Sequence, residues 1–459
     1  MVNRTNSGAE IPQHFTKISN QSRLAMAALM VSIALAILDT AIANTALPTI
    51  ARSLDTDAGT SVWIINAYQL FAVATLLPFA ALGAVIGHRR VYIGGLVIFT
   101  IASGACAFST DLSSLIAARA FQGVGASAIM SVNTALIALL YPGKILGRGL
   151  GLNALVVGVA FAFGPTASSI ILSFGAWQWL FAINVPIGVI ACALSVFSLP
   201  DSPRALGKFD LPAAVLTTIA FAALIYGLGA TAQGDPLIYS AGALLLFVVA
   251  LVALATYERN NPAPMLPLDL LMRPIFALSA FTSFCAFTAQ GLAFVALPFY
   301  LEHAIGMSSQ TTGFVMTPWS AVVALMAPLA GHLSDRLAPA SLGGLGLILL
   351  SAGMLLFTLL SNSAPILCIV IAMIVSGFGF GLFQSPNQKS IMLAAPSARS
   401  SGASGVVATA RLIGQATGTA LVALSFSMAG QNGPVISLLL GAGFAAIGGA
   451  ASIIRLVVK

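Results

Sequence analysis

Residues 25–50 read AMAALMVSIALAILDTAIANTALPTI, an apolar run with one charged side chain, Asp39, set between Arg23 and Arg52. A helix that crosses a bilayer needs about 20 predominantly apolar residues. This run is long enough, and it is not alone. Working outward, further apolar runs lie at about 62–86, 91–109, 112–140, 147–173, 178–199, 210–231, 238–256, 275–300, 310–333, 339–360, 365–388, 401–429 and 434–456. Together they predict fourteen spans, with very short loops near Pro142 and at Gly433-Pro434. The runs are continuous rather than alternating, which points to helices and away from a transmembrane barrel.

Composition agrees. Of 459 residues, 59% are hydrophobic and 7% charged, against about 25% charged in soluble proteins. A soluble chain of this composition could not cover its own surface. That excludes a soluble enzyme, a nucleic-acid-binding domain and a disordered protein. The 43 glycines fit close helix packing in lipid. Cys106, Cys192, Cys285 and Cys368 lie inside apolar runs without metal-ligand spacing and read as packing residues. The polar first 24 residues lack the short apolar core of a cleaved signal peptide. No P-loop is present, so nucleotide hydrolysis by this chain is not expected as the energy source. The longest internal loop, about 257–274, is proline-rich and reads as a connector between two halves.

Charge tests the span count. With the first residues inside and strict alternation, the inside segments hold Arg4, Lys17, Arg23, Arg89, Arg90, Lys144, Arg148, Arg204, Lys208, Arg259, Arg273, Arg336, Lys389, Arg399, Arg455 and Lys459, 16 of the 19 basic residues. The outside loops hold only Arg52. This asymmetry places both termini in the cytoplasm of a multi-pass cell (bacterial inner) membrane protein. The net charge of +7 then reflects basic loops at a membrane surface rather than nucleic-acid binding.

Charges left inside the spans carry the functional signal. Asp39 lies about 24 Å along its helix from Arg23 and about 20 Å from Arg52, near mid-membrane. An ionised carboxylate is costly there, so this group can carry a proton or pair with a cation. Arg119 is the natural partner. A guanidinium cannot deprotonate and must be paired, hydrated or directed at a cavity. Arg411 lies mid-span in the second half, either as a helix anchor or as a cavity residue. Asn44, Gln122, Asn153 and Gln290 are polar in-span candidates for a substrate cavity, although each type also serves as interhelical glue. Trp63, Tyr68, Trp177 and Trp179 read as interface anchors. Glu302-His303 ends a span at the outer rim, where an acid beside an imidazole could relay protons, but a solvated loop edge is the plainer reading. Gly158, Gly164 and Pro165 mark a hinge or a tight packing point. A weak repeat spaces Gly151 and Gly164 like Gly405 and Gly418.

These motifs resemble the fourteen-span drug:proton antiporters of the major facilitator superfamily, over almost the whole chain. Leu38-Asp-Thr-Ala-Ile-Ala-Asn-Thr-Ala-Leu-Pro48 is similar to that group's first-span motif. Arg119-Ala-Phe-Gln-Gly-Val-Gly125 resembles the fourth-span motif, and Gly158 through Gly164-Pro165 the antiporter motif of the fifth span. Trp177-Gln-Trp-Leu-Phe-Ala-Ile-Asn-Val-Pro-Ile-Gly188 and Arg411-Leu-Ile-Gly-Gln-Ala-Thr-Gly418 also fit. The resemblance implies an all-α polytopic fold: a cytoplasmic segment over 1–24, a six-helix bundle over 25–200, two linker spans with their connectors over 201–274, and a second six-helix bundle over 275–459. It implies a monomer that works by alternating access, with Asp39 and Arg119 coupling protons and Arg89, Arg90, Asp335 and Arg336 gating the cytoplasmic side. One departure stands out. The loop after the second span has Ala84 and Val85 where the family carries Asp-Arg, while Asp335-Arg336 keeps the second copy. A weakened first-half latch is therefore expected.

The function expected is proton-coupled export of lipophilic small molecules (drugs, antiseptics, dyes), with H+ as coupling ion and no cofactor or metal. A transporter of a specific metabolite, lipid or peptide is the nearest alternative. A non-transporting membrane sensor is the alternative of another class. No nucleophile–base cluster supports an enzyme.

Overall fold

The computed structural model describes residues 20–141, 146–202, 204, 209–230, 237–260, 268–360, 365–394 and 400–458. Lys144, Lys208, Arg399, residues 1–19 of the 1–24 segment and residues 261–267 of the 257–274 connector fall outside the described residues. Fourteen long helices follow in order: α1 (Asn20–Ser53), α2 (Trp63–Ile86), α3 (His88–Ala107), α4 (Leu112–Leu140), α5 (Leu146–Phe174), α6 (Asn184–Ser198), α7 (Leu211–Ala230), α8 (Leu237–Tyr257), α9 (Pro274–Phe299), α10 (Ser309–Leu333), α11 (Pro339–Leu359), α12 (Ile366–Ala394), α13 (Ser400–Ala429) and α14 (Gly433–Ile454). By length and apolarity thirteen stretches qualify as spans, the last of them 50 residues long. That stretch divides at Gly430, whose φ of 53° is a left-handed conformation that glycine adopts without penalty. A straight helix of this length would run about 75 Å, far beyond a bilayer core of about 30 Å. The stretch is therefore two spans.

Local chemistry explains the helices. Asp111 caps α4 by accepting from the Ser114 amide at 2.9 Å, and Ser308 caps α10 by accepting from the Thr311 amide at 3.2 Å. Pro274 and Pro339 sit in the first turn of α9 and α11, where a missing N–H costs nothing. Within the spans, hydroxyls bond back one turn, as Ser32 does to the Ala28 carbonyl at 2.9 Å and Thr100 to that of Leu96 at 2.7 Å. Such bonds keep polar groups satisfied where no water is available. The outer surface is a belt of exposed apolar side chains, including Ile101, Phe197, Leu245 and Leu325. A belt of this extent requires a hydrocarbon environment.

The two halves repeat one packing scheme. A side chain at Gly123 of α4 would strike the Tyr68 carbonyl of α2, and one at Gly377 of α12 would strike the Trp319 carbonyl of α10. Gly164 of α5 allows approach to Ala41 of α1, as Gly418 of α13 does to Thr288 and Leu292 of α9. By this correspondence Gln290 stands two residues before Leu292 as Asp39 stands two before Ala41. The second half thus holds no carboxylate at the place of Asp39.

The halves meet unevenly. At the end away from the arginine-rich loops, Ile42, Leu47 and Ile50 of α1 share one core with Val295, Ala296 and Phe299 of α9 and with Val422 and Phe426 of α13. At the basic end the cores are separate: Ala25, Tyr92, Ile129 and Leu136 belong to the first half, and Phe276, Ile391 and Val406 to the second. Midway, Val73, Ala74 and Leu77 of α2 pack with Leu412 and Ala416 of α13, and Ala213, Phe221 and Ile225 of α7 cover that seam. Helix α9 is the axis of contact: every residue from Cys285 to Glu302 is buried.

Candidate functional site

Asp39 is 1% exposed and Arg119 fully buried. The Asp39 carboxylate of α1 is held by three side chains from two other helices, α4 and α6. Its Oδ2 accepts from Arg119 Nη1 at 2.6 Å. Its Oδ1 accepts from Gln122 Nε2 at 2.9 Å and from Asn184 Nδ2 at 2.7 Å. Gln122 Nε2 also donates to Ser103 Oγ at 2.9 Å, and Arg119 Nε to the Ile64 carbonyl at 3.2 Å. The Tyr68 ring lies under the guanidinium at 4.3 Å and Phe181 flanks it at 5.5 Å. Arg119 Nη2 has no partner.

The arrangement follows from sequence spacing and close packing. Arg119 and Gln122 are three apart on α4 and share a face. The collision that Gly123 avoids brings that face onto Tyr68. Chemically this is a buried ion pair whose acid has its lone pairs well occupied. Protonation of Asp39 would weaken three donors at once and leave Arg119 uncompensated. Removing one member of a buried pair costs about 3–5 kcal/mol, so the acid, the guanidinium and the two amides form one interdependent unit.

Several sequence expectations need correction. Gln122 was expected in a substrate cavity, but it is fully buried as a ligand of Asp39. Asn44 is buried beside the shared core at the opposite end, and its Oδ1 has no partner. Asn153 accepts from Asn133 Nδ2 at 2.8 Å as a tie between α4 and α5. Gln290 accepts from Gln415 Nε2 at 3.1 Å, between α9 and α13. Tyr68 and Trp177 are not interface anchors: both are buried, and Trp177 Nε1 donates to Ser53 Oγ at 3.0 Å. Trp179 is exposed. Of the hinge candidates, Gly158 faces open space, whereas Gly164 lies against Ala41 and Pro165 against Gly313 of α10.

The gate residues do not bridge the halves in this conformation. Arg89 Nη1 pairs with Asp201 at 2.8 Å, inside the first half. Asp335 pairs with Lys389, not Arg336, inside the second. Arg90 and Arg336 are exposed. The polar side-chain contacts across the halves lie toward the other end. Arg52 Nη2 donates to Glu302 Oε2 at 2.7 Å, and Thr49 and Ser309 hydroxyls meet at 2.7 Å. Thr166 and Thr317 hydroxyls meet at 2.6 Å. Glu302 is therefore no solvated loop edge: its side chain is fully buried, and His303 stacks on Phe299 instead.

Sequence reading missed Asn184, Ser103 and Arg455. Asn184 lay inside the quoted Trp177–Gly188 stretch, so its signal was present but unassigned. Arg455 was counted among the inside basic residues. It is buried instead, donating from Nη1 to Ser279 Oγ and to Asn387 Oδ1, both at 2.7 Å. Among the described residues no three His, Cys, Asp or Glu side chains gather as metal ligands.

Comparison with known proteins follows the same lines. The family described as Major Facilitator Superfamily matches residues 29–419 and 279–458. The chain is 46% identical to the uncharacterized transporter YebQ of Escherichia coli (strain K12), over 98% of this chain and 97% of that one. It is 30% identical to the riboflavin transporter RibZ of Clostridioides difficile (strain 630), over 89% of each. It is also 30% identical to the multidrug resistance protein Stp of Mycobacterium tuberculosis (strain CDC 1551 / Oshkosh), over 84% of this chain and 72% of that one. With its repeated helical halves and a buried acid–arginine pair on one side only, the chain belongs to the major facilitator superfamily of membrane transporters.

Proposed function

We propose that the protein exports lipophilic small molecules in exchange for protons, by alternating access between the two halves. The observation that carries this reading is the Asp39–Arg119 pair, buried at mid-span and ligated by Gln122 and Asn184. A proton on Asp39 releases Arg119, and the altered contacts among α1, α4 and α6 bias how the first half meets the second. By the positive-inside rule the basic end is cytoplasmic, as are both termini. The separation of the cores at that end then describes an inward-open state, and the Arg52–Glu302 contact closes the outer side. Similarity to the multidrug resistance protein Stp supports a lipophilic substrate.

Equal identity to the riboflavin transporter RibZ favours a second reading, transport of one aromatic metabolite. Reconstituted proteoliposomes separate the possibilities. Gradient-driven efflux of a fluorescent lipophilic compound by the wild type, lost in Asp39→Asn, is the expected result. Flux that persists unchanged in Asp39→Asn moves coupling elsewhere. Riboflavin flux with no flux of varied lipophilic probes would favour the metabolite reading.

A further inference from the structure

Arg411 is the other cation within the spans, and the structure leaves it without an anion. Four ion pairs occur among the described residues: Arg52–Glu302, Arg89–Asp201, Arg119–Asp39 and Lys389–Asp335. Arg411 is in none of them. Its Nε is sealed from solvent without a hydrogen bond, while the residue as a whole is partly exposed, so the rest of the guanidinium is within reach of a ligand or water. A guanidinium stays charged in a protein, and a mid-span charge demands a partner or water.

Its position points to a ligand rather than to lipid. On α13, Leu412 and Ala416 pack toward α2 and α7, and Gly414 and Gly418 lie against α9. Arg411 and Gln415 share the strip between those faces, directed at the seam of the two halves. Gln415 ties to Gln290 of α9. One turn further along α9, Phe294 meets Phe161 of α5 at a ring separation of 4.8 Å, one ring from each half. That pair closes the seam on the opposite-end side. Arg411 lies on the other side of it, toward the end where the cores part. Tyr68 is the ionisable group that interacts electrostatically with Arg411, and the same ring carries Arg119 at 4.3 Å.

We infer that Arg411 anchors an anionic group, a carboxylate, sulfonate or phosphate, on an amphiphilic substrate whose ring system rests against Phe161 and Phe294. This rests on the transporter reading above and narrows its substrate class to organic anions with an aromatic body. Tyr68 then forms a wall common to the anion site and the Asp39–Arg119 pair, so each site feels the other's charge across one ring.

The test uses two xanthene dyes of matched size, anionic fluorescein and cationic rhodamine 123, binding to the full-length protein in phosphatidylcholine nanodiscs. Wild type is expected to bind fluorescein. Arg411→Gln is expected to weaken it by about 10- to 100-fold, the loss of a charge-assisted hydrogen bond, without weakening rhodamine 123. Arg411→Lys keeps the charge and should retain part of the affinity. It also decides the matter if Arg411→Gln does not fold. No fluorescein binding by wild type, or equal binding by wild type and both variants, overturns the inference. Fluorescein binding that disappears when phosphatidylglycerol replaces phosphatidylcholine assigns Arg411 to a lipid headgroup and overturns it too. Binding needs no flux. Arg411-dependent binding without gradient-driven transport would therefore keep this inference and sink the exporter reading, and cation export without fluorescein binding would do the reverse.

Discussion

Replacing Arg52 by Gln should open the end of the protein that this structure holds shut. Arg52 Nη2 reaches Glu302 Oε2 at 2.7 Å and Ser309 Oγ at 3.1 Å, and Ser309 Oγ in turn reaches Glu302 at 3.2 Å. Two side chains of α1, Thr49 and Arg52, thus hold the second half around α10. A hydrogen bond to a charged group is worth about 1.5–3 kcal/mol. The Arg52 side chain is 53% exposed, and screening lowers the figure to about 1–2 kcal/mol. That corresponds to a shift of about 5- to 30-fold between closed and open forms at this end. The two partners are not equivalent. Arg52→Gln leaves a buried carboxylate unpaired, since Glu302 Oε1 already lacks a partner. Glu302→Gln leaves an arginine that water can serve. Arg52→Gln should therefore have the larger effect. Spin labels at Asp55→Cys and Ser308→Cys, both exposed at this end, in a background without the four native cysteines, report the separation by double electron–electron resonance. A longer-distance population should grow in Arg52→Gln and less so in Glu302→Gln. An unchanged distance distribution in Arg52→Gln, or the opposite ranking, would refute the reasoning.

Other consequences are open to measurement. Gly164→Val should collide with Ala41 and cost about 1–3 kcal/mol by overpacking, whereas Gly158→Ala meets open space and should leave the melting temperature in detergent within a degree or two. Equal shifts would show that α5 does not depend on this approach. Asn184→Leu removes one donor to Asp39, a loss of about 1–3 kcal/mol, and should slow gradient-driven flux about tenfold while the variant still elutes as folded protein; wild-type rates would contradict the assigned geometry. At the basic end, the hydrogen bond and charge of Arg89 hold the Asp201 carboxyl below its ordinary value. A carboxyl depressed in the folded state contributes stability above its unfolded value and loses it as pH falls through the folded one. Asp201→Asn should therefore lower the melting temperature slightly near pH 7, with the difference closing below about pH 4. No difference near pH 7 would mean that Arg89 acts through its 2.6 Å bond to the Val196 carbonyl instead.

Spans and charged outliers were legible because lipid imposes its demands residue by residue. A continuous apolar run must be a helix when backbone groups can bond only within the segment. One acid and two arginines inside such runs are conspicuous for the same reason. Asp39 and Arg119 could be paired on paper by depth alone. What depth cannot supply is orientation. Asn184 reaches Asp39 across 145 positions and Arg52 reaches Glu302 across 250, and no local pattern marks an asparagine as a carboxylate ligand rather than helix glue.

The sequence by itself therefore determined the class of protein, its helices and the rarity of its buried charges, since each follows from the cost of polar groups in hydrocarbon. Only the tertiary structure decided which charges are neutralised and which are not. Asp39 and Arg119 cancel each other, Glu302 is buried against Arg52, Arg455 is enclosed among hydroxyls and an amide, and Arg411 stands unpaired at the seam. The physical reason is that electrostatic energy depends on separation and on the surrounding medium. Both are set by how helices far apart in the chain meet, not by where their residues fall along it.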